Sequence, residues 1–127
     1  MSAPNILPFI IGADANAISP LWHSKTVSAG RNREFRGETL TEFLTPNNLH
    51  IVNMSSELFT FSGPQGSSDI DLTFAGPGLI RDFSTTWTVC PDLGISDHNL
   101  ISIELTPRAP NASPEQFSPV KTFKDID

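Results

Sequence analysis

The chain has 127 residues, 38% of them hydrophobic and 17% charged, with 11 prolines and 8 glycines, which is enough for one loop-rich globular domain and not for two. A formal net charge of −6 argues against a broadly nucleic-acid-coating surface, because an acidic chain repels phosphate backbones; "RNREFR" (Arg31, Arg33, Arg36) is the one local basic cluster. The single cysteine, Cys90, rules out an internal disulfide framework and a cysteine-based zinc site, and reads as a small buried apolar residue.

Taken in chain order, "ILPFIIG" (Ile6 to Gly12) is a short apolar run ending in Gly, the pattern of a strand buried on both faces. "ADANAISPLWHS" is polar and broken by Pro, hence a loop, with Trp22 read as a core plug rather than a stacking platform. "REFRGETLTEFLTPNNL" places Leu40, Phe43 and Leu44 at helical spacing; Gly37 weakens its first turn and Pro46 stops it. "LHIVNM" and "LFTF" read as short strands, followed by a Gly/Pro turn in "SGPQGSS". "DIDLTF" alternates Ile70, Leu72 and Phe74 with Asp69, Asp71 and Thr73, a strand with one apolar and one polar face. "TTWTVC" and "LISIEL" complete about six strands and one clear helix, an α/β or α+β pattern with antiparallel pairing expected in the second half. Residues 1–105 are expected to form the folded unit. Residues 106–127, rich in Pro, Ser and charge, read as a tail or linker. No stretch approaches the ~20 apolar residues of a membrane span, and the start has no basic n-region, so the expectation is a soluble, intracellular protein without membrane contact.

Polar residues collect where the chain leaves or enters strands. Asp14 and Asn16 follow the first strand, Asp71 lies in "DIDLTF", and Asp97 and His98 precede the last strand. Side chains at strand ends are held by the sheet yet open to solvent. A carboxylate, an amide and an Asp–His pair can hold a hard divalent cation and a phosphate together, and a histidine oriented by an aspartate can exchange a proton with a reacting group. Plain structural roles stand beside these readings: turn formation for Asp14 and Asn16, an exposed strand position for Asp71, and a turn with a solvated ring for Asp97 and His98. His50 reads as a half-buried strand residue, and His23 lies close to the Asp14 loop.

The order of these motifs carries a resemblance. "IIGADANA", "SSDIDLTF" and "GISDHNLISI" resemble three motifs of the endonuclease/exonuclease/phosphatase superfamily: a strand followed by G-D-x-N, S-x-I-D at a strand start, and S-D-H before the last strand. "SPLW" and "GRNREFRGETLTEFLTPNNLHIVN" resemble, more narrowly, the endonuclease domains of non-LTR retrotransposons, encoded beside a reverse transcriptase. The likeness covers residues 6–105 and implies a β-sandwich flanked by helices of the DNase I-like type, with this chain supplying the C-terminal half of that four-layer fold. It implies that Asp14 orients or activates water, Asn16 contacts the scissile phosphate, Asp71 pairs with the ring of His98, Asp97 serves near the metal, and His98 contacts the phosphate in the transition state. The reaction it implies is hydrolysis of a DNA phosphodiester, assisted by Mg²⁺ or Mn²⁺, that nicks a strand to prime reverse transcription. A nuclear location follows if the substrate is chromosomal DNA.

Departures from the family pattern qualify that reading. Ala13 stands where Gly is common and Ala15 where a bulky residue is common; neither removes a functional group. The upstream asparagine and the glutamate that serves the family as principal metal ligand have no counterpart ahead of Asp14, and Glu34, Glu38 and Glu42 fall on the helix. The isolated chain is therefore expected to be weakly active or inactive and to self-associate through an exposed apolar sheet face. A phosphoesterase acting on phosphoinositides, or a non-catalytic remnant serving as an interaction module, are the alternative readings.

Overall fold

The computed structural model describes residues 7–25, 31–64, 66–91, 96–108 and 120–122. Among the described residues, the strands form three sheets, all with antiparallel pairing. β1 (Ile10–Asp14), β5 (Asp71–Ala75) and β2 (His50–Ile51) form one, in the order β1-β5-β2. β3 (Phe61–Gly63) and β4 (Gly66–Ser68) form a hairpin. β6 (Phe83–Cys90), β7 (Leu100–Pro107) and β8 (Val120–Thr122) form the third. The helices among the described residues are α1 (Arg31–Leu44), α2 (Pro77–Asp82) and a 3₁₀ turn at Pro20–Trp22. No helix among the described residues is long and apolar enough to cross a membrane.

The core is split by β5. Towards the β6–β7 sheet, Ala75 and Val52 pack with Trp87, Val89, Ile101, Ile103 and Leu79 of α2. On the other face, Leu72 packs with Trp22, Ala17 and Leu44 of α1. The result is helix on sheet on sheet, a mixed α/β architecture in which β5 is the central strand of its sheet and is covered on both sides. β6 and β7 alternate as half-buried strands should: Trp87, Val89, Ile101 and Ile103 are buried, whereas Thr86, Thr88 and Glu104 are exposed.

Several expectations change at this level. β1 is an edge strand and is not buried on both faces; Ile11 is 43% exposed. The polar set of "DIDLTF" is not solvated, since Asp69, Asp71 and Thr73 are all buried. Each of the three side chains has a partner: Thr73 Oγ1 accepts the Trp87 indole N–H of the β6–β7 sheet at 3.0 Å, Asp71 meets His98, and Asp69 accepts from Lys25 and Thr60. Phe59 and Thr60 lie outside the strand that begins at Phe61. On α1, Leu44 is buried but Phe43 is 55% exposed. α2, six residues beginning at Pro77, was not apparent from periodicity; Pro at its first position suits a helix start. Strand pairing also crosses position 105, because β7 runs to Pro107 and β8 pairs with Ile101–Ile103.

Gly37 marks where α1 comes closest to the loop after β1. A Cβ there would collide with the carbonyl of Ile18, and the backbone N–H of Ile18 donates to the carbonyl of Arg33 at 3.1 Å. The glycine costs helix propensity and permits this contact.

Candidate active site

The β1–β5 ladder ends with Asp14 opposite Asp71, so their side chains emerge on one face of the sheet. Each Asp14 oxygen has its own neighbour. Oδ1 accepts the backbone N–H of Asn16 at 2.9 Å, the turn in which an aspartate bonds two residues on; Oδ2 faces His98 Nε2 at 3.5 Å. The turn-forming and site-forming readings of Asp14 therefore both hold. Asn16 takes a positive φ of 47°, a conformation that asparagine tolerates better than most residues. Arg33 Nε donates to its Oδ1 at 3.1 Å and Arg36 Nη1 to its carbonyl at 3.2 Å.

Asp71 is fully buried and its Oδ2 lies 3.0 Å from His98 Nδ1. A carboxylate only accepts, so Nδ1 carries the proton and Nε2 is the nitrogen presented at the open side. The ring is held by its surroundings. Phe61 bridges His98 across a short antiparallel contact, with the ring centroids 5.0 Å apart in an edge-to-face arrangement. Ser62 N–H donates to the Asp97 carbonyl and Asn99 N–H to the Thr60 carbonyl, each at 2.8 Å. The Asn99 side chain donates to the Phe59 carbonyl at 2.6 Å. The His98 segment is thus strapped to the residues that enter the β3–β4 hairpin.

Among the described residues, one ligand atom each from Asp14, Asp71 and His98 lie within 4.8 Å of one another. The Asp71 oxygen nearest the ring is engaged with it, so Asp14 offers the accessible carboxylate. This donor set suits a hard cation seated at the rim, with water and substrate oxygens filling the remaining positions, rather than an all-protein cage. Asp97 is exposed and outside that trio, joined to the site through its backbone. Glu34, Glu38 and Glu42 line a groove of about 530 Å³ with Ile18 and Leu21, on the α1 side of the molecule. His23 ends the 3₁₀ turn and pairs with Ser55 at 3.2 Å. His50 is exposed on β2, and Cys90 is half-buried at the end of β6.

Three supporting residues carry no distinctive signal in the sequence. Buried Asn53 donates to the Asp71 carbonyl at 2.9 Å and accepts the Thr73 N–H at 2.7 Å, replacing strand pairing beyond β2 with a side chain. Buried Asp69 accepts the backbone N–H groups of Lys25 and Thr60 and pairs with the Lys25 ammonium at 3.3 Å. Asn99 carries the straps already described. Each is an amide or carboxylate next to a strand, a signal too common to single them out.

Comparisons with known proteins give the chain a family. Residues 1–102 match the family model described as Endonuclease-reverse transcriptase. The chain is 44% identical over 122 residues to the retrovirus-related Pol polyprotein from type-1 retrotransposable element R1 of Bradysia coprophila, covering 93% of this chain and 12% of that protein. It is 34% identical over 118 residues to a 115 kDa protein in type-1 retrotransposable element R1DM of Drosophila melanogaster, covering 91% and 11%. Among solved structures it resembles the endonuclease domain of TRAS1, a telomere-specific non-LTR retrotransposon, with a TM-score of 0.62 and 33% identity over 79% of this chain and 42% of that one. The chain thus spans a small part of its polyprotein relatives and under half of the solved endonuclease domain.

Proposed function

Because the chain belongs to the endonuclease–reverse transcriptase family, within the endonuclease region of non-LTR retrotransposons, we propose that it supplies the C-terminal part of a site that hydrolyses DNA phosphodiester bonds. The product is a nicked strand whose free end primes a reverse transcriptase in the same polyprotein. The reaction takes place in the nucleus, on chromosomal DNA. The observation that carries the proposal is His98 standing between two carboxylates, 3.0 Å from Asp71 and 3.5 Å from Asp14, at the open end of a shared sheet.

Asp71 fixes the ring and its tautomer, and His98 Nε2 meets the phosphate. Asp14 orients the attacking water through Oδ2 while Oδ1 holds the turn. Asn16 donates from its amide nitrogen to a non-bridging oxygen. The Asn16 amide donor faces the negative charge that builds on the phosphate oxygens, where fixed polar groups act most strongly. A divalent ion, Mg²⁺ or Mn²⁺, held by Asp14 with Asp97 nearby, supplies further positive charge to the phosphate when bound. The β3–β4 hairpin, strapped to His98 through Phe61, reaches into the groove of the DNA and contributes to target choice. Exposed apolar side chains at the sheet edge and on α1, including Ile11 and Phe35, favour self-association of the isolated chain.

The test is nicking of supercoiled plasmid by the 127-residue chain with Mg²⁺ or Mn²⁺. The expected result is slow nicking at most, abolished by EDTA and by His98→Ala, with no phosphate released from an inositol phosphate. Nicking that survives His98→Ala, or turnover of the inositol phosphate instead of DNA, overturns the proposal.

A further inference from the structure

Asn16 is gripped from α1 at two points, its side-chain oxygen by Arg33 and its carbonyl by Arg36, at 3.1 and 3.2 Å. A third bond, from Ile18 N–H to the Arg33 carbonyl, pins the same turn of helix to the same loop, and Gly37 provides the close approach. The chemistry of the first contact is directional. A guanidinium donates and never accepts, so the Asn16 amide must turn its oxygen towards Arg33. Its NH₂ is thereby directed away from Arg33, and Nδ2 makes no hydrogen bond among the described residues. A free asparagine side chain at an exposed, positive-φ position would sample both amide orientations, one of which presents a carbonyl oxygen to an anion and repels it.

We propose that Arg33 is a positioning residue for the nuclease reaction: it selects the orientation of Asn16 that presents N–H groups to the scissile phosphate. The inference rests on the DNA-cleavage reading, in which Asn16 contacts that phosphate. It adds a role for the one basic cluster of an acidic chain, which grips the loop that follows Asp14. The guanidinium reaches the phosphate only by way of the Asn16 side chain, so the role assigned to it acts through Asn16.

Two measurements on the 127-residue chain test this. In the first, nicking is compared for Arg33→Gln, Arg33→Lys, Asn16→Ala and the double variant Arg33→Gln/Asn16→Ala. Arg33→Gln should lower kcat by about 100-fold, the scale of a misplaced contact, with KM changed far less. Lysine, which keeps one donor, should recover part of the loss. In the Asn16→Ala background, Arg33→Gln should cost little more. Multiplied losses in the double variant, or an effect confined to KM, overturn the proposal. In the second, the Asn16 side-chain NH₂ resonances are followed by NMR while dimethyl phosphate is added. They should shift in the native chain and in Arg33→Lys, and not in Arg33→Gln; equal shifts in native and Arg33→Gln chains overturn the proposal. The NMR result needs no turnover. The functional reading fails by itself if nicking survives His98→Ala or if the inositol phosphate is turned over instead of DNA; the resonances decide the role of Arg33 in either case, and also where the isolated chain nicks too slowly for kcat to be compared.

Discussion

Asp14 and Asp71 are cross-strand partners at the last rung of the β1–β5 ladder, and the ring of His98 bridges them. Like charges directly opposite each other destabilise a sheet, so the pair persists only with a donor between them. Asp71 also sets which nitrogen of His98 carries the proton. Asp71→Asn preserves the volume but can hold the ring in the wrong tautomer. The expected outcome is a loss of kcat of about 10²- to 10⁴-fold, with a circular dichroism spectrum like that of the native chain. Activity within a factor of two of native would show that the Asp71–His98 contact is not used in the reaction.

Asn53 makes a stability prediction that separates scaffold from chemistry. Its amide closes two backbone groups of β5, one on each side of Leu72, at 2.9 and 2.7 Å. Asn53→Ala strands a buried carbonyl and a buried N–H, each costing about 1–3 kcal/mol. Unfolding in urea should show a loss of about 2–4 kcal/mol, with the slope of the transition unchanged. The Asp71 carbonyl is one of the two groups released, so activity should fall along with stability rather than by the larger factor expected for Asp71→Asn.

How much of this was legible beforehand depends on which interaction does the positioning. Asp14 and the Asp97–His98 pair could be found because apolar runs show where the chain leaves and enters strands, and their association with Asp71 followed from motif order. The burial of Asp71 could not. Alternation with period 2 separates the faces of a strand but does not say which of them meets water, and here the face carrying Asp71, Thr73 and Ala75 is covered, Thr73 and Ala75 meeting the β6–β7 sheet. α2 escaped because six residues give too little periodicity. The contacts of Arg33, Asn53 and Lys25 span 17, 18 or 20, and 31 to 44 residues, and they exist only once α1 and the loops have docked.

Gly37 is where local and tertiary rules disagree on a sign. By helix propensity alone, Gly37→Ala should stabilise α1 by about 1 kcal/mol. The added carbon would strike the Ile18 carbonyl, and that loop cannot yield cheaply while Ile18 N–H is bonded to Arg33. Overpacking costs of about 1–3 kcal/mol should prevail, making the net change destabilising in urea unfolding. Since α1 must shift to make room, the Arg33–Asn16 contact should weaken too, and the Asn16 NH₂ resonances should move towards those of Arg33→Gln. A stabilised Gly37→Ala chain would mean that α1 does not dock this closely.

Lys25 closes the circuit from the loop after the 3₁₀ turn to the His98 segment. Its ammonium donates to the carbonyls of Ser56 and Leu58 at 2.8 and 3.1 Å, pairs with Asp69 at 3.3 Å, and lies 4.5 Å from the centre of the Phe59 ring. Asp69 in turn holds Thr60 N–H, and the Thr60 carbonyl holds Asn99 beside His98. Breaking a fully buried ion pair costs about 3–5 kcal/mol. The Lys25 side chain is 34% exposed and that of Asp69 7%, so solvent screening reduces the expected cost of Lys25→Met to about 1–3 kcal/mol. The double variant Lys25→Met/Asp69→Asn should recover part of that loss, because the stranded carboxylate is then gone. Both stabilities can be read from urea unfolding, and a Lys25→Met cost below about 0.5 kcal/mol, the level of an ordinary surface change, would place the pair outside the framework that holds His98.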